Sequence, residues 1–407
     1  MKRESRAVWS WALFDFANSS YSLIMLSFVF PIFFKEFIAG PARGDFWWGV
    51  ITSTSVLIGG LAAPFIGALA DVSHHRRHKF ILFSAVAMLA TALLFFSTPG
   101  AVLYASILFI LANASFEVAI VLYDAYLPHI STPKTSARIS GLGWGLGYLG
   151  GIIAMLAFIP LYKDGFEASP IRFKLTFVAT ALFFFVFAIP AFRYLPNVPG
   201  KIRSLKKASR EALKQVWQTI RSAREYKSIG VFLAAFYFLN DGLVTVFAFV
   251  PIYASTTFNF SLLEVGGLVL FAQLVAAPST MILGRLADKV GKKRMQLFTV
   301  AGWIVVLIVL ASTQSVVALF IATGLAGIVM GSSQAVARAW LASLIPKGKE
   351  AQFYGFNGFA SKIAATSGPL VFGTVSVLTG NQRVAMLALL PFFVLSFALF
   401  LFVPSNK

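Results

Sequence analysis

Twelve long apolar runs dominate this chain. A membrane-spanning helix needs about 20 mostly apolar residues. Runs of that kind lie near 8–37, 46–70, 79–98, 101–127, 138–160, 173–194, 229–255, 262–285, 295–313, 316–344, 351–378 and 384–403. Only 12% of the residues are charged and the mean hydropathy is +0.81, whereas soluble domains carry roughly 25% charged residues. No aqueous fold hides that much apolar surface, so a lipid environment is the first inference. The absence of Cys excludes disulfides, thiolate nucleophiles and Cys-bound metal. Of the four His, three (His74, His75, His78) share one polar loop and the other is His129, a poor setting for a metal site; no metal and no cofactor is expected. The start, MKRESRAVWSWALFDFANSS, has a basic head but no small-residue cleavage site, and reads as a retained first helix rather than a signal peptide.

The net charge of +19 would suit nucleic acid if the cations were clustered. They alternate instead. The amino terminus, every second loop and the carboxyl tail hold 26 of the 34 Lys and Arg, the other loops hold six, and Arg338 and Lys362 lie inside segments. Cytoplasmic loops carry the excess of Lys and Arg, so both termini are expected in the cytoplasm and no nucleic-acid partner is implied. An odd number of spans would scramble the alternation, so the charges support twelve independently of hydropathy.

The two halves repeat. GALADVSHHRR (Gly67–Arg77) and GRLADKVGKKR (Gly284–Arg294) begin 217 residues apart, both between the second and third segments of a six-segment unit. Pro31 and Pro251 lie 220 apart, Pro128 and Pro346 218 apart, and the ends of ARISG and AQFYG, Gly141 and Gly355, 214 apart. Parallel six-helix repeats are one of the transporter architectures. The expected fold is therefore all-α and integral to the membrane: twelve transmembrane helices as two parallel pseudo-symmetric six-helix bundles, 1–194 and 229–407. They are joined by a basic linker, 195–228, in which Ile202, Leu205, Leu213, Val216, Trp217 and Ile220 fall at roughly helical spacing. That pattern reads as an amphipathic helix on anionic membrane lipids.

The second loop matches G-x-L-x-D-[RK]-x-G-[RK]-[RK]-[RK] almost completely, so the chain resembles the major facilitator superfamily. The first keeps Gly67, Leu69, Asp71, Arg76 and Arg77 but has Val72 and His74 where the family has a cation and Gly, which leaves the strength of the first loop open. WALFDFANSSY, VLYDAYLP, ISGLGWGLGYLGG, FLNDGLVT and the run from GSSQAVARAWLASLIP to SGPLVFG are similar to the vacuolar amino-acid effluxer (autophagy-related) family and its bacterial relatives. The resemblance implies a major facilitator fold, a monomer and, for so short a chain, a bacterial inner membrane. It also implies that Gly67, Asp71, Arg76, Arg77, Gly284, Arg285, Asp288, Lys292, Lys293 and Arg294, with Asp124, form a cytoplasmic gate. On helix 5, Gly143, Gly147 and Gly151 make a small-residue stripe, with Gly141 and Gly145 beside it; such stripes permit close backbone approach in lipid. The family places helix 5 at the seam between halves, with helix 8 as partner through Gly266 and Gly267.

Ionisable groups within spans are costly and normally face a cavity or a partner. Asp15 lies about 13 Å past Arg6 along its helix and Glu117 about 15 Å from Leu127. Asn18 shares the face of Asp15; Asn113, Glu117 and Asp124 share one on helix 4; Tyr237, Asp241 and Thr245 share one on helix 7, beside Asn240; Met330, Gln334 and Arg338 share one on helix 10. Lys362 sits near the middle of helix 11. In the family, helices 1, 4, 7 and 10 line the central cavity, so Asp15, Asn18, Glu117, Tyr237, Asn240, Asp241, Gln334, Arg338 and Lys362 are the candidate substrate and proton residues. Burial disfavours a charged carboxylate, which suits Asp15, Glu117 or Asp241 to proton exchange. Arg338 keeps its charge and suits a substrate carboxylate. Ion pairs fixing helix register, such as Lys362 with Asp241 or Arg338 with Glu117 or Asp124, would explain the same charges without cargo. Trp11, Trp144 and Trp340 read as packing or interfacial anchors.

The expected function is a secondary transporter moving a small organic solute, an amino acid or similar zwitterion or anion, outward by alternating access, with proton coupling open. A lipid or lysolipid carrier of the same fold and a solute sensor are the alternatives. The sequence lacks H-E-x-x-H, G-x-S-x-G and a Walker-type loop. Tyr123-Asp124 has no G-x-G-D companion for an intramembrane protease, so no enzyme is expected.

Overall fold

Apolar runs in lipid must satisfy their own backbone, which leaves helices as the solution for a chain patterned like this. The computed structural model describes residues 2–40, 44–73, 76–198, 202, 204–260, 262–312, 314–364 and 367–405. His74 and His75 of the first charged loop lie outside the described residues. Among the described residues there is no strand, and one isolated parallel bridge joins Ser73 to Ile202.

Eleven helices among the described residues are long and apolar enough to cross a membrane: Ser5–Ile38, Trp47–Val72, Arg76–Phe96, Val102–Ile130, Ser136–Tyr162, Pro170–Tyr194, Arg224–Val250, Glu264–Val290, Lys292–Ser312, Val316–Leu344 and Gln382–Phe402. They are the first to tenth and the twelfth spans of the sequence pattern, and the chain is a multi-pass membrane protein. The eleventh expected span, 351–378, is described as two helices, Glu350–Ala364 and Ser367–Thr379, of 15 and 13 residues. Residues 365 and 366 between them lie outside the described residues, and the first helix carries Glu350 and Lys362. The first span is irregular. It contains π-helical turns at Ser22–Ser27 and Phe34–Ile38 on either side of Pro31, which has no N–H to offer the helix ladder.

The chain divides into two compact units. The first is Met1–Ile130, Leu146–Gln218 and Pro346–Phe359; the second is Ser131–Gly145, Thr219–Ile345 and Ala360–Lys407. The division falls inside the fifth span and inside helix Glu350–Ala364, so each unit takes a short segment from the other half of the sequence. In the first unit, span 1 packs on 6, 2 on 4, 3 on 4 and 3 on 6. In the second, span 7 packs on 12, 8 on 10, 9 on 10 and 9 on 12. Adding six to each member of the first set gives the second, which is the sequence repeat expressed as packing.

The cores repeat too. Trp11, fully buried, stacks on Tyr123 at 4.6 Å and donates Nε1–H to the Tyr123 carbonyl at 3.0 Å. Phe14 lies beside them among Phe80, Phe184 and Phe192. In the second unit Trp340, 217 residues after Tyr123, packs on Phe232 and stacks on Phe400 at 5.4 Å. Trp11 and Trp340 are therefore packing residues.

Candidate functional site

Each copy of the charged loop motif ends on the first turn of a helix. Helix starts leave N–H groups without intrahelical partners and carry a partial positive charge, so a carboxylate is a favourable cap. In the first unit, Asp71 at the end of the second span accepts from the backbone N–H of Ala351 at 3.2 Å and of Gln352 at 2.9 Å. In the second unit, Asp288 at the end of the eighth span accepts from Ala137 at 3.0 Å and Arg138 at 2.7 Å. The carboxylates are 217 residues apart and their donors 214 apart. The two clasps are the same contact made twice, each joining a motif from one half of the sequence to a helix start from the other.

Glycines set the approach. A Cβ on Gly67 would overlap the Ala351 carbonyl oxygen and sit 2.9 Å from the Gln352 nitrogen. One on Gly284 would lie 2.6 Å from the Ala137 oxygen. The reciprocal glycines come from the facing helices. A Cβ on Gly355 would be 2.6 Å from the Ala63 oxygen, and one on Gly141 2.5 Å from the Thr280 oxygen. Real Cβ atoms do not approach backbone oxygen that closely, so all four positions require bare α-carbons.

The first clasp, which departs from the consensus, carries the denser polar network. Arg76, 1% exposed, pairs with the fully buried Asp71 carboxylate and lies 3.5 Å from Glu350. Its guanidinium donates to His129 Nε2 at 2.8 Å and to the Ala125 carbonyl at 3.4 Å. Glu350 Oε1 accepts from the Gly348 N–H at 3.0 Å. In the second clasp Lys292 lies 4.0 Å from Asp288 and donates to the Pro133 carbonyl. Arg77 and Lys293 turn to helix carboxyl ends within their own units. Arg77 donates to the Phe192 carbonyl, and Lys293 to Leu401 at 2.6 Å and Val403 at 2.8 Å. Arg285 and Arg294 are exposed, and Asp124 is half-buried at the end of its helix.

The fifth span uses its glycines on two faces. Gly141 and Gly145 meet the eighth span at Ala277–Gly284, in the second unit. Gly147 and Gly151 meet Asp15 and Ser19 of the first span, in the first unit, and Gly143 is buried. Gly150 fits tightest, since a Cβ there would overlap the Phe16 carbonyl. The expected partners Gly266 and Gly267 have nothing within 4 Å of an added Cβ. They lie some three turns from the contact, nearer the other end of the eighth span.

The intramembrane polar residues fall into both units. In the first, Asn18 donates to Asp15 Oδ1 at 3.3 Å, Ser19 donates to the Asp15 carbonyl at 2.8 Å, and Asn113 donates to Ser55 at 2.8 Å. Glu117 is half-buried, with Gly59 close against its Cβ. In the second, Asp241 is fully buried and accepts from Ser367 Oγ and, at 2.8 Å, from the Gly368 N–H. Tyr237 lies 3.4 Å from Ser367, and Asn240 donates to the Ser361 carbonyl at 3.0 Å, next to the half-buried Lys362. Arg338 donates to Ser140 Oγ at 2.9 Å and to the Ser140 carbonyl at 3.0 Å, with its guanidinium over Trp144 at 5.7 Å. Gln334 is half-buried on the same helix. Ser140, Ser367, Glu350 and Gln352 were not singled out by sequence reasoning. The repeat of ARISG and AQFYG carried the signal, because it holds the donors Ala137–Arg138 and Ala351–Gln352.

The family model described as "Vacuole effluxer Atg22 like" matches residues 49–407. An uncharacterized MFS-type transporter of Bacillus subtilis, YxiO, is 29% identical over 420 residues, covering 100% of this chain and 96% of its own. Autophagy-related protein 22 of Yarrowia lipolytica is 24% identical over 442 residues, covering 87% and 75%. Among solved structures, the human organic anion transporter MFSD10 is similar with a TM-score of 0.76 at 17% identity, over 98% of this chain and 99% of that one. The proton:xylose symporter XylE is similar with a TM-score of 0.72 at 12% identity, over 99% and 96%. With this helical architecture, the repeated clasps and a match over most of its length, the chain belongs to the Atg22-like vacuole effluxer family and has the major facilitator fold.

Proposed function

We propose that this membrane transporter exports a small zwitterionic or anionic organic solute, an amino acid being the leading class, by alternating access. The two clasps form its cytoplasmic gate. The observation that carries the reading is the duplicated cap: Asp71 and Asp288 each hold a helix start from the other half of the sequence through main-chain N–H groups. Such contacts form and break without repacking a core, as a carrier that rocks between two states requires. Gly67, Arg76, Gly284 and Lys292 serve that gate. The effluxer description of the family supports the direction, and the organic anion carried by MFSD10 supports the class of cargo.

Within this reading Arg338 offers a guanidinium to the cargo carboxylate, with Gln334 one turn away on the same helix and Lys362 and Asn240 further polar groups of the same unit. Asp241 couples a proton to the cycle: a proton on its carboxylate takes away an acceptor from the Ser367 hydroxyl and the Gly368 N–H, freeing that segment to shift. Thermal-shift screening of the purified protein against amino acids, other organic acids and lysolipids tests the cargo. An amino acid should stabilise the parent and fail to stabilise Arg338→Ala. Stabilisation by lysolipid alone would replace the proposed cargo class, and equal stabilisation of parent and Arg338→Ala would remove the assigned site. In liposomes, a pH gradient should drive flux in the parent, and Asp241→Asn should leave flux that ignores the gradient. Parent flux that is blind to the gradient would end the proton reading.

A further inference from the structure

The linker helix Leu205–Arg221 has two working faces. Ala208 and Ala212, both fully buried, pack on Ala68 and Leu69 at the end of the second span, with Phe65, Ile66, Val72 and Val216 around them. Ahead of the helix, Ile202 donates its N–H to the Val72 carbonyl at 3.0 Å. Gln215 donates Nε2–H to Gln352 Oε1 at 2.7 Å, and Gln352 Nε2 donates back to the Gln215 carbonyl at 3.4 Å. Gln352 is the residue whose backbone N–H caps Asp71. The linker therefore grips both sides of the first clasp, the motif helix through its alanines and the capped helix through its glutamine.

The opposite face does the reverse. Leu213, Trp217 and Ile220 share one side of the helix, at i, i+4 and i+7, and are 60%, 56% and 50% exposed. Lys206, Lys207, Arg210, Lys214 and Arg221 flank this stripe, and Glu211 is the single acid of the helix. An exposed apolar stripe beside five cations matches an anionic bilayer surface. The acyl boundary takes the Leu, Trp and Ile, and each Lys or Arg near the headgroups adds about 1 kcal/mol. The helix lies between the sixth and seventh spans, so its ends are held close to that surface by the chain itself.

We propose that the linker helix is a lipid-operated latch: anionic headgroups engage its Leu213–Trp217–Ile220 face, and the helix thus seated holds the first clasp shut. This rests on the gating role proposed above. The test uses the full chain in nanodiscs of phosphatidylcholine alone or with phosphatidylglycerol, read by amide hydrogen exchange over residues 350–356. Because the chain has no Cys, Leu213→Cys also places a single bimane label on the stripe, read by quenching from doxyl lipids.

Phosphatidylglycerol should slow exchange over 350–356 about tenfold and raise quenching of the label. Combined Lys206→Gln, Lys207→Gln, Arg210→Gln and Lys214→Gln should erase both effects. Gln215→Ala should erase the slowed exchange while leaving the quenching. Exchange that is equal in the two discs, or a label that stays out of lipid, overturns the latch. So does equal protection by soluble polyphosphate in phosphatidylcholine discs, which would assign the site to free polyanions. Asp71→Ala must speed exchange in both discs; if it does not, the gating reading fails and takes the latch with it, whereas a response to Asp71→Ala without a response to lipid sinks the latch alone.

Discussion

Asp71→Ala is expected to cost the folded protein about 3–5 kcal/mol, the typical loss when one member of a buried ion pair is removed. The variant leaves Arg76, 1% exposed, with a buried positive charge whose nearest remaining carboxylate, Glu350, is 3.5 Å away. It also strips the cap from the Ala351 and Gln352 N–H groups. Asp288→Ala removes a matching cap, but Lys292 is 12% exposed and lies 4.0 Å from the carboxylate, so less is stranded. About 2–3 kcal/mol is expected there, from hydrogen bonds to a charged acceptor. Thermal unfolding in detergent, run side by side, decides the order. An Asp288→Ala midpoint as low as that of Asp71→Ala would mean that the buried pair contributes nothing beyond the cap.

Gly67→Val should open the first clasp as effectively as losing Asp71. The new side chain meets the Ala351 carbonyl and the Gln352 nitrogen, both backbone, and neither can swing aside. The helices must part, and the Asp71 bonds of 2.9 and 3.2 Å then leave hydrogen-bond range. The expected outcome is a folded protein with fast amide exchange over residues 350–356 and no transport. Gly266→Ala and Gly267→Ala are the matched controls. Nothing lies within 4 Å of either new methyl, and alanine gains up to about 1 kcal/mol of helix propensity over glycine. Their midpoints should hold or rise. If Gly67→Val exchanges as slowly as the parent, the close approach at Ala351 does not exist in solution.

Span count, the repeat and the family were legible because each depends on a signal spread over many residues: hydropathy, alternating cations, paired landmarks. The clasps were half legible. Asp71 and Asp288 stand out as charged side chains in a motif, but what they bind does not, because their donors are main-chain N–H groups at Ala137, Arg138, Ala351 and Gln352. For the same reason the segments Ser131–Gly145 and Pro346–Phe359, each grouped with the opposite half, read in sequence as ordinary helix starts. The glycines of the eighth span were misjudged because composition says a small residue is present, not which way it faces. Gly266 and Gly267 are small and open, whereas Gly284, inside the charged motif, makes the contact. The Asp241 contact was not legible either, because hydropathy averages over Ser367 and Gly368, whose hydroxyl and N–H the buried carboxylate accepts.

A lock whose bolt is a side chain and whose keeper is the peptide backbone places unequal demands on its two parts. Residues 71 and 288 must be acidic, but at 138 and 352 any amino acid except proline offers the same amide hydrogen. The capping contact alone leaves the side chains there unconstrained, and a search for co-varying pairs would pass over it. At position 352 the side chain is thereby available to a second partner: its amide answers to Asp71 while its buried side chain answers to Gln215, so the linker can be rewired without touching the bolt.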